Sequence, residues 1–230
     1  MGQRRSNPAV NADGFAAGYF GSLAMSKNTP PIHLYATQMR EIKRRTEVID
    51  FFLHKGGHAL YQPTTIESIC LQFRKILELI AFSSLIANKD RYAAVHKNFE
   101  SHWNAELLLK DLSRVNSDFY PKPIEEKPSQ APGVVNELVP ITDGFLTQED
   151  FVHIYKKCGG MMHAANPYGS KTGVHYFEKS FPTWRSKLIR LLNCHQVHLV
   201  GETGFWLIHM KENGDDEVHF YQFGLVEKHG

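Results

Sequence analysis

Residues 65–87 decide the fold, and their sequence is TIESICLQFRKILELIAFSSLIA. In the first half, apolar residues recur at intervals of three and four, which is the spacing of one face of a helix. The second half, residues 79–87, is apolar on nearly all sides, as in a helix that other helices surround. The stretch therefore predicts a long helix, capped by Thr64 or Thr65, at the centre of a helical bundle.

Further helices are predicted on both sides of this central one. Apolar spacing and capping residues indicate helices at residues 33–54, 91–96, 103–115, 147–166 and 184–193. Thr147 and Asp150 form a capping box with the shorter acid, and Pro167 disfavours helical geometry beyond Asn166.

The apolar period changes to two near the C-terminus, which predicts strands at residues 195–200, 205–211 and 217–226. Such a meander needs a partner surface, and the helices provide it. The expected fold class is mainly α, a helical bundle with a small C-terminal three-stranded antiparallel sheet (α+β). Aromatic residues give this sheet two faces, one to pack on helices and one to meet a partner: Phe205, Trp206, Phe220, Tyr221 and Phe223.

Four regions are expected along the chain. They are a disordered N-terminal arm (1–32), a helical bundle (33–120), a Pro-rich linker or surface excursion (121–146), and helices with a C-terminal meander packed on the bundle (147–230). Five prolines from Pro121 to Pro140 argue against a continuous helix or a central strand in the third region. The stretch that begins at Met25 resembles an ordinary N-terminus, so Met1 and Met25 are alternative starts.

Composition points to a cytoplasmic protein. The chain has 26 Lys and Arg against 24 Asp and Glu, a net charge of +2 that is far from the strongly basic balance of a dedicated nucleic-acid binder. Cys70, Cys158 and Cys194 lie far apart among apolar neighbours, which predicts buried thiols in a reducing compartment. No apolar run approaches the roughly 20 residues of a membrane helix, so no membrane association is expected.

Two segments place a His five residues after an Arg: Arg91 with His96, and Arg190 with His195. An Arg can hold a phosphate while a His assists attack by a 2′-hydroxyl, and this chemistry needs no metal. The motif, together with a bundle around a long apolar helix, resembles the HEPN-like superfamily of helical proteins over residues 33–166. The resemblance implies a metal-independent endoribonuclease, a homodimer, and a catalytic role for Arg91 and His96. A solvated short helix is the alternative explanation for these two residues.

A third candidate site lies in residues 155–169. Tyr155, Gly159 and His163 follow at four-residue intervals and would share a helix edge, where Gly159 permits close approach of another chain or a ligand. Tyr155 and His163 are therefore catalytic candidates, and Asn166 is a binding candidate. Tight helix packing at the glycines is the alternative.

The densest basic run consists of Arg40, Lys43, Arg44 and Arg45. These side chains are the candidates for contact with a phosphate backbone, and a solvated helix face is the alternative. Cys194, His195 and His198 come closest to a metal-ligand cluster, but no second pair with zinc-like spacing accompanies them, so neither a metal nor a cofactor is predicted.

No phosphate loop, GxGxxG, GxSxG or HExxH motif is present in the sequence. The first hypothesis is a protein-interaction or regulatory module of a cytoplasmic bacterial-type system, with a protein partner or a homodimer. The alternative is the metal-independent HEPN-like endoribonuclease, with RNA as substrate. A nucleic-acid-binding protein without catalytic activity is the third hypothesis.

Overall fold

The computed structural model describes residues 29–96, 104–130, 136–164, 168, 173–202, 204–212 and 214–224. The helices in this part of the chain are α1 (Pro31–His54), α2 (Gln62–Ala87), α3 (Lys89–Val95), α4 (Ala105–Val115), α5 (Gln148–Met161) and α6 (Val174–Leu192). The strands are β1 (Lys122–Pro128), β2 (Asn136–Pro140), β3 (Cys194–Val197), β4 (Phe205–His209) and β5 (His219–Phe223). Residues 1–28 of the predicted N-terminal arm (1–32) lie outside the described residues. Helix α1 begins at Pro31, so the last two residues of the predicted arm belong to this helix.

The helix predicted at the centre of the bundle is α2, which packs against α1, α4, α5 and α6. Its buried positions continue through the second half, where Ile80 and Ala81 are inaccessible to solvent. Phe73 stacks on Phe181 of α6 and meets Trp184 edge-on, both with ring centroids 5.7 Å apart. The prediction of a central helix is confirmed.

Helix α6 begins at Val174, ten residues before the predicted start, and it contains Pro182. Proline removes one backbone hydrogen bond and usually ends or bends a helix, which is why the sequence favoured a later start. Phe177, Phe181 and Trp184 are buried on one face on both sides of the proline. Their burial explains why the helix continues through it.

The sheet has five antiparallel strands in the order β2-β1-β3-β4-β5, so the prediction of three strands was wrong. The two additional strands, β1 and β2, come from residues 121–146, which were predicted as a Pro-rich linker or surface excursion. Strand β1 lies between β2 and β3, so the expectation that the prolines exclude an internal strand was also wrong, and proline can be accommodated at strand ends. Pro123 is the second residue of β1, and Pro128 and Pro140 are the last residues of β1 and β2.

One face of this sheet packs on the bundle. His195 and Val197 of β3 are buried and pair with Ile208 and Trp206 of β4. Because side chains alternate along a strand, Cys194 and its partner His209 project from the opposite face.

In the described part of the chain, no helix combines the length and hydropathy that crossing a membrane requires.

Candidate functional site

The two residues of the first Arg-His motif lie in one groove, which we call the helix-end groove. It is lined by Arg91, Ala94, Val95, His96, Asp111, Arg114 and Val115. Helix α3 ends at Val95, and His96 has an extended backbone with φ −120° and ψ 100°. In a continuous helix, residues five apart would point in different directions. The helix end between them therefore brings Arg91 and His96 to the same groove.

The side chains of the helix-end groove include two cations and a histidine. No ion pair within the described residues includes Arg91, whereas Arg114 lies 3.2 Å from Asp111. The ring of His96 stacks on buried Tyr92, with centroids 4.4 Å apart. Burial and the nearby Asp111 raise the pKa of Tyr92, which stays a neutral platform for the imidazole. The groove offers guanidinium donors for a phosphate and a positioned imidazole.

The second Arg-His motif has a structural role. His195 is completely buried, and its Nδ1 donates to the Leu192 carbonyl at 2.8 Å. Nε2 is therefore unprotonated and accepts from the Tyr35 hydroxyl at 2.9 Å. Burial lowers the pKa of His195 to about 4, so the ring is neutral at physiological pH. His195 has no access to a substrate.

Tyr155 is buried beneath Arg74 of α2. Nη2 of Arg74 donates to the Tyr155 hydroxyl at 2.7 Å, and Cζ of Arg74 lies 3.9 Å from the ring centroid. Burial raises the pKa of Tyr155. A Cβ on Gly159 would lie 2.8 Å from Nη1 of Arg74, so this glycine leaves space for the guanidinium. The close approach expected at Gly159 is made by a side chain of the same molecule.

His163 does not share a helix edge with Tyr155 and Gly159, so that expectation was wrong. Helix α5 ends at Met161, soon after two consecutive glycines, and His163 is exposed beyond it. Glycine is a poor helix former, which explains the early end. The binding candidate Asn166 lies outside the described residues.

The basic run on α1 is largely occupied by acidic partners. The pairs are Arg40 with Glu217 (3.8 Å), Lys43 with Asp216 (2.7 Å) and Arg45 with Glu41 (2.8 Å). Lys43 also donates to the Met210 carbonyl at 3.0 Å, while Arg44 is exposed. The contacts of Arg40 and Lys43 attach the loop after β4 to α1.

A second groove lies on the outer face of the sheet, beside the C-terminal end of α6. We call it the sheet groove, and its volume is about 1270 Å³. Its polar lining includes Glu126 of β1, Cys194 of β3, His209 of β4 and Glu212 of the following loop. Cys194 and His209 are directly opposite each other in the β3–β4 register.

Glu126, Cys194 and His209 converge in the sheet groove. One ligand atom from each lies within 4.8 Å of the others, and no other such group of metal-binding side chains occurs in the described ranges. Nδ1 of His209 is 3.1 Å from Oε1 of Glu212, which accepts a 2.6 Å hydrogen bond from the Tyr221 hydroxyl. That bond raises the pKa of Tyr221 to about 12.

The Cys194 thiol is not an activated nucleophile in this arrangement. Burial and the Glu126 carboxylate raise its pKa to about 12, so the thiol is protonated at neutral pH. Of the other residues in the expected ligand cluster, His195 faces the bundle and Nδ1 of His198 lies 3.1 Å from the Gly204 carbonyl oxygen. The structure therefore separates Cys194 from both.

Sequence reasoning missed Glu126, His209 and Glu212. Glu126 belongs to the segment predicted as a linker, and nothing local indicated that β1 lies beside β3. In the predicted meander, the alternation of apolar residues with a period of two already placed His209 on one face of a strand. The strand register that puts it opposite Cys194 was the missing information.

The chain matches no family model, no curated protein and no solved structure among those compared. The HEPN-like resemblance thus stays a prediction from the sequence.

Proposed function

We propose that the protein is a metal-independent endoribonuclease of HEPN-like type, with its site in the helix-end groove. The observation that carries the proposal is the end of α3 at Val95, because it allows Arg91 and His96 to line one groove. The packing of four helices around α2 agrees with the bundle that the resemblance implies.

The two residues have separate roles in this reaction. Arg91 binds the scissile phosphate through charge-assisted hydrogen bonds. His96 takes the proton of the 2′-hydroxyl, whose oxygen attacks phosphorus while the bond to the 5′-oxygen breaks and that oxygen gains a proton from water. The products are a 2′,3′-cyclic phosphate and a 5′-hydroxyl end. DNA lacks the attacking group and is not cleaved.

The test is incubation of the full chain with mixed RNA, and separately with DNA, in excess chelator. Arg91→Ala and His96→Ala should abolish RNA cleavage, because each removes a group that acts on the phosphate or the proton. His163→Ala is the control, since His163 is an exposed histidine that lies beyond α5 and does not line the helix-end groove. Far-UV circular dichroism confirms that the variants are equally folded.

Three outcomes contradict the catalytic proposal: no cleavage by the wild type, cleavage that chelator stops, or cleavage that His96→Ala retains. RNA binding without cleavage, weakening steeply with salt, would favour the nucleic-acid-binding hypothesis instead.

The interaction hypothesis is favoured by one observation on β5, which lies at an edge of the sheet. Tyr221 and Phe223 of this strand are 42% and 39% exposed, and Phe223 stacks on Phe205 with centroids 5.1 Å apart. An edge strand with exposed aromatic side chains suits antiparallel pairing with β5 of a second copy. Analytical ultracentrifugation tests this, because Phe223→Lys should convert a dimer to a monomer. A wild-type monomer at high concentration would contradict it.

A further inference from the structure

We infer that Glu126, Cys194 and His209 form a binding site for a zinc ion in the sheet groove. The three residues come from β1, β3 and β4, which are neighbours in the sheet. The site is separate from the proposed ribonuclease site, which is built from α3 and α4, and it does not depend on that function.

The spacing of the ligand atoms fits tetrahedral zinc. With Zn–N and Zn–O distances of about 2.0 Å, two such ligand atoms are about 3.3 Å apart. Nε2 of His209 and Oε2 of Glu126 are 3.6 Å apart, and all three ligand atoms lie within 4.8 Å of one another. Small side-chain rotations are enough to bring these atoms to coordination distance, because the register of β3 and β4 already holds Cys194 opposite His209.

The hydrogen bonding of His209 leaves a place for a cation. When Nδ1–H donates to Glu212, Nε2 presents a lone pair. That lone pair faces the Glu126 carboxylate, and among the described residues the buried Nε2 has no hydrogen-bond partner. Two acceptors facing each other in a partly buried site repel, and a cation between them removes the repulsion.

The contact with Glu212 has the arrangement that supports metal-bound imidazoles. A carboxylate that accepts from the second ring nitrogen fixes the tautomer and orientation of the ligand. The Tyr221 hydroxyl in turn holds Glu212 at 2.6 Å. Glu212 is therefore a positioning residue for the site and does not act as a ligand.

The ligand set selects the ion. Zinc displaces the proton of the Cys194 thiol to solvent when it binds, so the sulfur coordinates as a thiolate. A thiolate with an imidazole and a carboxylate suits zinc, whereas magnesium and calcium prefer oxygen ligands alone. Three protein ligands leave the fourth position of a tetrahedral ion for water or a substrate atom from the sheet groove.

The first experiment is a titration of the metal-free full chain with zinc chloride against a chromogenic chelator. We expect one zinc ion per chain. Cys194→Ser and His209→Gln should each weaken binding by more than about 100-fold, and Glu212→Gln by about 10- to 100-fold. The matched controls are Glu125→Gln, the neighbour of Glu126 on β1, and His198→Gln, and both should bind zinc as the wild type does.

A second measurement needs no variant. Zinc should protect Cys194 from alkylation in the wild-type chain, as measured by mass spectrometry of the Cys194 peptide. Cys70 and Cys158 are completely buried and serve as internal references for unfolding. This measurement decides the matter if Cys194→Ser does not fold.

The inference is overturned if the wild type binds no zinc, or if Cys194→Ser binds it equally well. Alkylation of Cys194 at the same rate with and without zinc would also overturn it. None of these results affects the test of RNA cleavage, which is performed in excess chelator.

Discussion

The hydroxyl of Tyr35 on α1 donates a hydrogen bond to Nε2 of His195 on β3, 2.9 Å away, and both side chains are completely buried. The other ring nitrogen of His195 donates to the Leu192 carbonyl. Every polar atom of the imidazole is thus paired at the contact between bundle and sheet, where an unpaired group would be costly.

Tyr35→Phe should lower the free energy of unfolding by about 1–3 kcal/mol, because it leaves Nε2 of His195 buried without a donor. Urea denaturation measures the change. Tyr61→Phe is the control, since Tyr61 is 61% exposed and the loss of its hydroxyl should have almost no effect on the free energy of unfolding. Equal stabilities of the two variants would show that the Tyr35 bond contributes nothing.

Gly159→Ala should destabilise the protein, whereas Gly160→Ala should not. A methyl group on Gly159 would lie 2.8 Å from Nη1 of Arg74 and displace the guanidinium from Tyr155. No atom of the described residues lies within 4 Å of the corresponding position on Gly160, where alanine gains about 0.5–1 kcal/mol of helix propensity. Thermal unfolding of the two variants should give shifts of opposite sign. A stabilising Gly159→Ala would mean that Arg74 moves away without cost.

Gly204→Ala should weaken the β4–β5 pairing by more than about 1 kcal/mol. Its φ is +86°, and a Cβ would lie 1.8 Å from the Phe223 carbonyl oxygen. Gly201 has a similar φ of +90°, and no atom in the described part of the chain lies within 4 Å of its Cβ position, so Gly201→Ala measures the backbone strain alone. Comparison of the two variants in urea isolates the clash. Equal losses would show that the β5 backbone shifts freely.

Asp150 should make stability depend on pH in the acid range. Burial raises its pKa, but hydrogen bonds from Lys187 and Thr147 outweigh this effect and lower the pKa below its usual value. A carboxyl with a lowered pKa stabilises the fold above its unfolded-state pKa of about 3.9, and this contribution is lost as the pH falls through the folded-state pKa. Asp150→Asn should therefore cost about 1 kcal/mol at neutral pH. The difference from wild type should shrink below about pH 4.

Denaturation of wild type and Asp150→Asn at a series of pH values from 7 to 2 provides this measurement. A difference that persists unchanged at pH 2 would mean that the loss comes from packing and not from the charge.

Local patterns in the sequence predicted the helices well and the sheet poorly. The central helix follows from apolar spacing within 65–87, and the capping box of Thr147 and Asp150 is confirmed. In each case, the residues that form the pattern are only three or four positions apart in the sequence. The start of α6 was missed because Pro182 argues locally against a helix at that position. The helix continues through the proline because its aromatic face is buried against α2, and a contact between distant helices is not visible in the local sequence.

The candidate sites show the same division between local and distant information. The spacing of Arg91 and His96 was visible in the sequence, but only the end of α3 places both in one groove. The Glu126, Cys194 and His209 cluster depends on β1 lying beside β3. No local property of a Pro-rich segment indicates which distant strand it will join.

The five-stranded sheet has a consequence for the order of folding. β1 with β2, and β3 with β4 and β5, are each formed from neighbouring parts of the chain, while Lys122 pairs with Gln196 across two intervening helices. Contacts of such high sequence separation close a long loop and are slow to form. We expect two independently formed halves whose union is the late step in folding. The sheet groove forms only when the two halves join. A ligand of this groove therefore binds the completely folded protein and none of the partly folded states.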